Sequence, residues 1–311
     1  MTAILPITGT FLDEITYDIP AQNWGRREWI KEFDIFADIR IDTVIIIRGG
    51  WGRRGVYPSR VIGNADDPDL AGLFLEQATR HGIRLFFGLY DAGFVYKGDW
   101  ETELDLNVRF MHETLGRYRE YPALHGWYIP HETSLFTPHF GALYQRLSLY
   151  LKEHTPDMPV LVSPYYPSGI VHGGDMTMLK SAEEFRDDWA RMFERYQSID
   201  ICAFQDATCL PDQLPEYLRA IRQVCDEAGV ECWNNCESFA RNMPIKFPPA
   251  DYRLLLERLR VTSPFVTKQI TFEFSHFMSP QSSYRSAYHL FNRYCEHVLG
   301  RGSNEAARWD D

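Results

Sequence analysis

The chain has 311 residues, of which 45% are hydrophobic and 14% aromatic, and its formal net charge is −11 at pH 7. This hydrophobic content is sufficient for one large folded core and excludes a disordered chain. Lysine and arginine are spread along the chain, which excludes nucleic acid as a partner because phosphate binding depends on basic clusters.

Apolar segments typical of buried strands alternate with amphipathic helical patterns along the whole chain. The predicted strands are 7–13, 43–50, 84–91, 124–132, 159–166, 199–206, 230–237 and 269–276. The clearest predicted helices are 26–40, 67–82, 101–121, 137–154, 214–229 and 283–299. Eight such pairs predict a (β/α)8 TIM barrel, with one domain over 1–300 and a polar tail at 301–311. An open doubly wound sheet is the alternative, but no strand is followed by a glycine-rich phosphate-binding turn.

The chain has no recognisable membrane or secretion signal. Its first residues, MTAILPITGTFLDE, lack a basic region and a long apolar run, and no later segment approaches about 18 uncharged apolar residues. We therefore expect a cytoplasmic protein with no membrane partner. The six cysteines lie mostly in apolar strand or helix patterns, which predicts reduced and buried thiols. Cys232 and Cys236 have no second pair and no histidine at ligand spacing, so we predict no zinc.

The ends of the predicted strands carry the candidate functional groups, because the open face of a TIM barrel lies at the C-terminal ends of its strands. Strands four and seven lie roughly opposite each other in an eight-stranded ring, and they end in Glu132 and Glu237. Two carboxyls across a cleft are what a glycosidase requires: one protonates the departing oxygen, and the other attacks the anomeric carbon or activates water. The sequence therefore predicts a carbohydrate substrate and no cofactor.

Four segments resemble a known family: GTFLDEITYDIPAQNWGRREWIKEFDIFADIRIDTVIIIRGGW, GWYIPHE, AFQDATC and WNNCESF. They are similar to the domain-of-unknown-function family 4434, which is described as glycoside-hydrolase-like TIM barrels. The strand ends also resemble the retaining glycosidase clan whose acid/base glutamate ends strand four and whose nucleophile ends strand seven. This resemblance implies that Glu132 is the acid/base and Glu237 the nucleophile. That clan usually has Asn before the acid/base, whereas this sequence has His131.

The other strand ends supply candidate substrate-binding residues. They are Arg48, Trp51, Asp91, His131, Tyr165, Tyr166, Gln205, Asp206, Asn235, Glu273 and His276. Arg48 is the one charge in TVIIIRGG, and it is expected either to orient a carboxylate or to bind substrate. Together with Asn235, it is expected to keep Glu237 ionised. Tyr165 and Tyr166 alternate along a strand, so one of them is expected to face the cavity. The loops 49–67 and 165–184 are expected to form its walls.

Other interpretations of these residues remain open. Glu132 could cap the helix that follows it, and Glu273 could replace Glu237 as the nucleophile. A carbohydrate-binding barrel without turnover would have the same strand ends, with its carboxylates too far apart or held in ion pairs. A metal-dependent sugar isomerase or lyase would use Glu132, Asp206, Glu237 and His276 as ligands. Because one strand-end histidine is a thin ligand set, we predict no metal.

Overall fold

The centre of the protein is a closed barrel of eight parallel strands. The computed structural model describes residues 3–17, 19–132, 138–168, 179–195, 198–240 and 247–310. The barrel strands are β1 (Ile7–Leu12), β2 (Thr43–Ile46), β3 (Arg84–Gly88), β4 (Leu124–Ile129), β5 (Val160–Val162), β6 (Ile201–Gln205), β7 (Glu231–Asn235) and β8 (Lys268–Thr271). Strands that follow each other along the chain pair in the barrel, and β8 pairs with β1 to close the ring. The predicted TIM barrel is confirmed.

Helices surround the barrel and cover the outer face of the strands. They are α1 (Arg26–Asp38), α2 (Leu70–His81), α3 (Trp100–Tyr118), α4 (Pro138–His154), α5 (Ala182–Arg195), α6 (Leu214–Ala228), α7 (Tyr252–Thr262), α8 (Phe274–Phe277) and α9 (Arg285–His297). The helix α2 begins after Asp69, whose side chain accepts a hydrogen bond from the backbone N–H of Gly72. It ends at Gly82, which has a φ of 66° and so adopts a conformation that glycine reaches without steric cost. Among the described helices, none is both long and apolar enough to cross a membrane.

The hydrophobic core has two layers, because successive strand side chains point to opposite faces. Phe86 of β3 lies in the cluster inside the barrel, while its neighbours Leu85 and Phe87 pack against the helices outside. The inner cluster consists of Phe11, Ile45, Ile47, Phe86, Tyr128, Leu161, Ile201, Ala203, Trp233 and Ile270. The six cysteines, which all lie within the described residues, are buried in the outer layer and form no disulfide.

A small second sheet lies beyond the C-terminal ends of β2 and β3. It consists of the short strands Gly50–Trp51, Arg54–Gly55 and Tyr90–Asp91. The predicted strands 43–50 and 84–91 therefore each contain one barrel strand and the start of this second sheet. It fixes the backbone of the 49–67 loop beside the barrel mouth. The other loop expected to form a wall of the cavity is 165–184. Its residues 169–178 lie outside the described residues.

The segment expected to be a polar tail is folded against the barrel helices. It contains a 3-10 helix, Glu305–Trp309, in which the backbone N–H of buried Ala306 donates to Asn292 of α9. Arg301 lies 2.5 Å from a carboxylate oxygen of Asp38 at the end of α1. The polar composition of this segment thus reflects hydrogen bonds and an ion pair with α1 and α9.

Candidate active site

A cavity of about 140 Å³ opens at the C-terminal end of the barrel, and both Glu132 and Glu237 line it. Four other residues expected from the sequence also line this cavity: Arg48, Trp51, Gln205 and Asn235. The remaining lining residues are Phe11, Asp13, Thr16, Ile19, Ile47, Phe239, Phe247 and Phe272. The cavity therefore combines several carboxyl groups and one cation with a wall of aromatic rings.

Strand alternation explains why the two glutamates reach the cavity and His131 does not. Glu132 is four residues after Tyr128, and Glu237 is four residues after Trp233; both aromatic residues belong to the inner cluster. An even spacing keeps a side chain on the same face of an extended segment, so both glutamates continue the inner face. His131 has the opposite parity, and its side chain is fully buried on the outer side next to Glu103 of α3.

The backbone of Glu237 is held by two residues behind the cavity wall. Its N–H donates to Asp206 Oδ1 over 3.1 Å, and its carbonyl accepts from Arg258 Nη1 over 3.0 Å. Asp206 also accepts a hydrogen bond from Asn234 and lies 3.8 Å from Arg258 Nε. Burial raises the pKa of Asp206, although Arg258 opposes this shift. The sequence predicted a substrate contact for Asp206, but its carboxyl is completely buried and instead positions Glu237.

The floor of the cavity is tied to the end of β5. Asn235 Nδ2 donates to Ser163 Oγ over 3.2 Å, and Gln205 Nε2 donates to the Ser163 carbonyl over 2.8 Å. Ser163 Oγ in turn donates to the carbonyl of Ala203 over 2.7 Å. These bonds fix both amide side chains, so they present polar groups to the cavity in defined orientations.

Arg48 stands among carboxylates on the opposite side of the cavity. Its Nε lies 3.4 Å from Asp91 Oδ2, and its side chain is 13% exposed. Burial alone lowers the pKa of Arg48, but the negative charges of Glu132, Asp13 and Asp91 outweigh burial and raise it. The sequence suggested that Arg48 orients a carboxylate and helps keep Glu237 ionised. In the structure, the carboxylate with the largest electrostatic effect on the pKa of Arg48 is that of Glu132.

Asp91 lies behind Arg48, where it is 2% exposed, and it does not line the cavity. Arg48 follows β2 and Asp91 follows β3. The ends of these two strands can approach closely because β3 ends in Gly88, where a Cβ would lie 2.1 Å from the carbonyl oxygen of Ile46. The expected substrate contact of Asp91 is therefore replaced by an ion pair that holds Arg48 at the cavity.

His131, Glu103 and Asp91 form the one group among the described residues whose ligand atoms could surround a metal, since these atoms lie within 4.8 Å of one another. His131 Nε2 and Glu103 Oε1 are 2.9 Å apart, which is a direct hydrogen bond. Glu103 also accepts backbone N–H bonds from Ala92 and Phe94. Through these bonds, Glu103 holds both His131 and the loop after β3 in place. They also place His131 away from any substrate, contrary to the expectation from the sequence.

Glu273 and His276 form a buried pair on the outer side of β8. The Glu273 carboxylate caps α8 by accepting N–H bonds from Ser275 and His276, and it also contacts His276 Nδ1. Burial lowers the pKa of His276, but Glu273 outweighs burial and raises it to about 9. Both side chains are at most 1% exposed and neither lines the cavity. This position does not fit the suggested role of Glu273 as an alternative nucleophile, nor a substrate contact for either residue.

The two tyrosines after β5 differ in position, as their alternation predicts. Tyr166 is fully buried, and its ring packs against Phe185, Phe204 and Tyr217 in the outer layer. Tyr165 is half-buried, and its backbone forms a bridge with Gln205. Neither tyrosine lines the cavity, and Tyr166 is too deeply buried for its ring to stack against a sugar.

A family model described as a domain of unknown function, DUF4434, matches residues 7–284. The chain belongs to this family. No curated protein matches the sequence.

Several solved structures share the fold of this DUF4434 protein. A protein from Bacteroides thetaiotaomicron VPI-5482, named as a candidate alpha-L-fucosidase, is 35% identical with a TM-score of 0.91, and the match covers 96% of this chain and 94% of that one. A beta-D-glucuronidase for Dictyoglomus thermophilum is 13% identical with a TM-score of 0.53, covering 89% of this chain and 45% of that one. A psychrophilic glycoside hydrolase family 10 endo-beta-1,4-xylanase is 11% identical with a TM-score of 0.54, covering 90% and 89%. The two more distant structures show a shared barrel fold alone.

Sequence reasoning missed two groups of residues in this DUF4434 protein. Phe239, Phe247 and Phe272 form an aromatic wall; Phe239 and Phe247 lie beyond the predicted strands, where no periodic pattern marks a lining position, whereas Phe272 has the parity of inward-facing Ile270. Glu32 and Glu103 are buried acids on the inner faces of α1 and α3. A signal for these acids was available, because each interrupts an apolar helical stripe at three- or four-residue spacing.

Proposed function

We propose that this protein is a retaining glycoside hydrolase in which Glu132 is the acid/base and Glu237 is the nucleophile. The observation that carries this proposal is that two glutamates, 105 positions apart in sequence, line one cavity at the mouth of a parallel barrel. The aromatic wall of that cavity offers apolar faces of the kind that bind the C–H groups of a sugar ring. The 35% identical structure, named as a candidate alpha-L-fucosidase, supports the same class of reaction.

In the proposed first step, the Glu237 carboxylate attacks the anomeric carbon and the bond to the departing oxygen breaks. Glu132 donates its proton to that oxygen, which leaves as a neutral alcohol. In the second step Glu132 takes a proton from water, the water oxygen attacks the anomeric carbon, and the bond to Glu237 breaks. Arg48 stabilises the ionised Glu132 that exists between these steps, because its charge faces Glu132 across a largely buried environment.

The charge of the cavity favours a neutral glycoside. Three carboxyl residues, Asp13, Glu132 and Glu237, line it together with a single cation, Arg48, among the described residues. Arg48 is already paired with Asp91, so an acidic sugar would meet net negative charge. An α-L-fucoside is a neutral substrate of the kind named for the 35% identical structure, and we infer that it is the first substrate to test.

The test is hydrolysis of 4-nitrophenyl glycosides, beginning with the α-L-fucoside and including the β-D-xyloside, by the wild type and by Glu132→Ala and Glu237→Gly. We expect both variants to lose at least about a thousandfold in kcat, as removal of a catalytic carboxyl does. The matched control is Glu231→Ala, which removes an exposed carboxyl at the opposite end of β7. It should keep the wild-type rate.

Added azide distinguishes the two roles. In Glu237→Gly, azide occupies the space of the missing carboxyl and attacks the anomeric carbon as nitrophenolate leaves, which gives a glycosyl azide of inverted configuration. In Glu132→Ala, azide attacks the intermediate on Glu237 and gives the configuration of the substrate. The opposite pattern would exchange the two assignments. Sugar binding without turnover of any glycoside by the wild type would instead indicate a carbohydrate-binding barrel.

A further inference from the structure

A pair of aromatic rings, one exposed and one half-buried, adjoins the cavity on the side of Arg48. The ring of Tyr17 is 59% exposed and lies against Trp51, with the ring centroids 4.7 Å apart and the planes inclined by 50°. Trp51 lines the cavity, and so does Thr16, the residue before Tyr17. The aromatic surface thus continues from the cavity to the solvent.

This aromatic pair is held in place by the two loops that carry it. The guanidinium carbon of Arg54 lies 3.9 Å from the centroid of the Tyr17 ring, and Arg54 Nη1 donates to the carbonyl of Ile15 over 3.3 Å. Trp51 pairs with Arg54 and Asp91 in the small sheet, which fixes its backbone. A ligand would therefore meet a surface whose side chains need little further ordering.

The position of Trp51 relative to the two glutamates decides which part of a glycoside would reach this surface. Arg48 lies 5.5 Å from the Trp51 ring centroid and interacts electrostatically with Glu132. The acid/base stands next to the departing oxygen, so the leaving group extends toward its side of the cavity. Glu237 is two residues before Phe239, whose ring centroid lies 4.7 Å from that of Phe247, and all three residues line the cavity. The transferred sugar becomes bound to Glu237, so it extends toward these two rings.

We propose that Tyr17 and Trp51 form a subsite for a second sugar residue on the leaving-group side, so that the substrate is a disaccharide or longer glycan. This inference rests on the proposed function. Aromatic faces of this kind bind the C–H face of a pyranose, while the Tyr17 hydroxyl and the Arg54 guanidinium provide polar groups at the rim. A glycoside with a small leaving group would make none of these contacts.

The test compares two substrates that differ only in the leaving group, α-L-fucosyl fluoride and α-L-fucosyl-(1→2)-galactose. We expect Tyr17→Ala to lower kcat/KM for the disaccharide about tenfold and to change that for the fluoride less than about twofold. Tyr17→Phe keeps the ring and should retain most of the wild-type kcat/KM on both. Tyr252→Ala removes a tyrosine that stacks on His297 in the outer helical layer, and it should affect neither substrate.

Two results would overturn the subsite: unchanged disaccharide hydrolysis in Tyr17→Ala, or an equal loss on both substrates. If the wild type hydrolyses neither probe and no other glycoside, the proposed function fails separately. Calorimetric titration with the disaccharide then decides the subsite alone. Weaker binding by Tyr17→Ala than by the wild type supports it, whereas equal affinity or no binding by the wild type overturns it.

Discussion

Arg48 Nε lies 3.4 Å from Asp91 Oδ2, which joins the segment after β2 to the segment after β3 at the edge of the cavity. Asp13 and Glu132 add negative charge around the same guanidinium. One buried cation therefore offsets the charge of three carboxylates that come from separate parts of the chain.

Replacing Arg48 by Met should lower the free energy of unfolding by about 3 kcal/mol at pH 7, because buried carboxylates lose their counter-charge. The loss should be smaller near pH 4, where carboxyls become protonated and no longer repel one another. Urea denaturation at the two pH values measures this difference. Arg60→Met, at an exposed position, is the control and should change the unfolding free energy by less than about 0.5 kcal/mol. An equal loss at both pH values would show that lost packing, and not charge, causes the effect.

Glu32 makes the stability of the wild type depend on pH. It is fully buried, and burial raises its pKa to about 8 although Ser279 and Gln281 donate hydrogen bonds to it. Since the ordinary value is 4.5, the folded state keeps a proton that the unfolded chain releases between these values. Glu32 alone should therefore lower stability as pH rises from 4.5 to 8, by at most about 1.4 kcal/mol per pH unit.

Glu32→Gln should remove this dependence, because the amide stays neutral and can still accept the hydrogen bond from Ser279. We expect near-equal stability of variant and wild type at pH 5 and higher stability of the variant at pH 9, by at least about 1 kcal/mol. Chemical denaturation at both pH values measures it. Gln77→Glu, which introduces an acid at another buried helix position, should have the opposite sign at pH 9. A Glu32→Gln variant that is less stable at pH 9 would show that Glu32 is ionised in the folded protein.

The pair of Glu273 and His276 should give a pH dependence of its own. The folded-state pKa of His276 is about 9, above its ordinary value of 6.5, so the pair's stabilisation is complete below pH 6.5 and disappears as pH rises through 9. Glu273→Gln should therefore destabilise the protein by about 3 kcal/mol at pH 6 and by less at pH 10. Denaturation curves at the two pH values test this. A loss that is the same at both would assign the effect to the helix cap alone.

Chelators should leave the protein unchanged. Glu103 already binds His131 directly and accepts backbone N–H bonds from Ala92 and Phe94, so these two residues hold each other without an ion. We expect the same melting temperature before and after dialysis against EDTA, measured by scanning calorimetry. A lower melting temperature that added Zn²⁺ or Mn²⁺ restores would contradict this, and loss of that response in Glu103→Gln would place the ion at this group.

Much of the fold could be predicted from the sequence because its signals are local. Each strand is an apolar segment of a few residues, and each helix has an apolar stripe with recognisable ends, such as Asp69 and Gly82 around α2. The parity of Glu132 with Tyr128, and of Glu237 with Trp233, is equally local. Strict use of this parity would have separated Gln205 and Asn235, which reach the cavity, from His131, Asp206 and Tyr166, which do not.

The partners of the buried charges could not be predicted in the same way. His131 contacts Glu103, 28 positions earlier, and Arg258 holds the backbone of Glu237 from α7. Such pairs form only after the helices pack on the barrel, so no short segment contains both members. For the same reason the sequence placed Arg48 beside Glu237, whereas closure of the barrel brings it under the influence of Glu132.

The sequence by itself thus determined eight strands, their order and the inward direction of two glutamates, because apolar periodicity and alternation are properties of neighbouring residues. Only the tertiary structure decided which strand-end groups share a cavity and which are neutralised behind its wall. A polar side chain at a strand end can occupy either position, provided that a buried one has a hydrogen-bond or ion-pair partner. The choice depends on the helix that covers it and on the charge that this helix supplies.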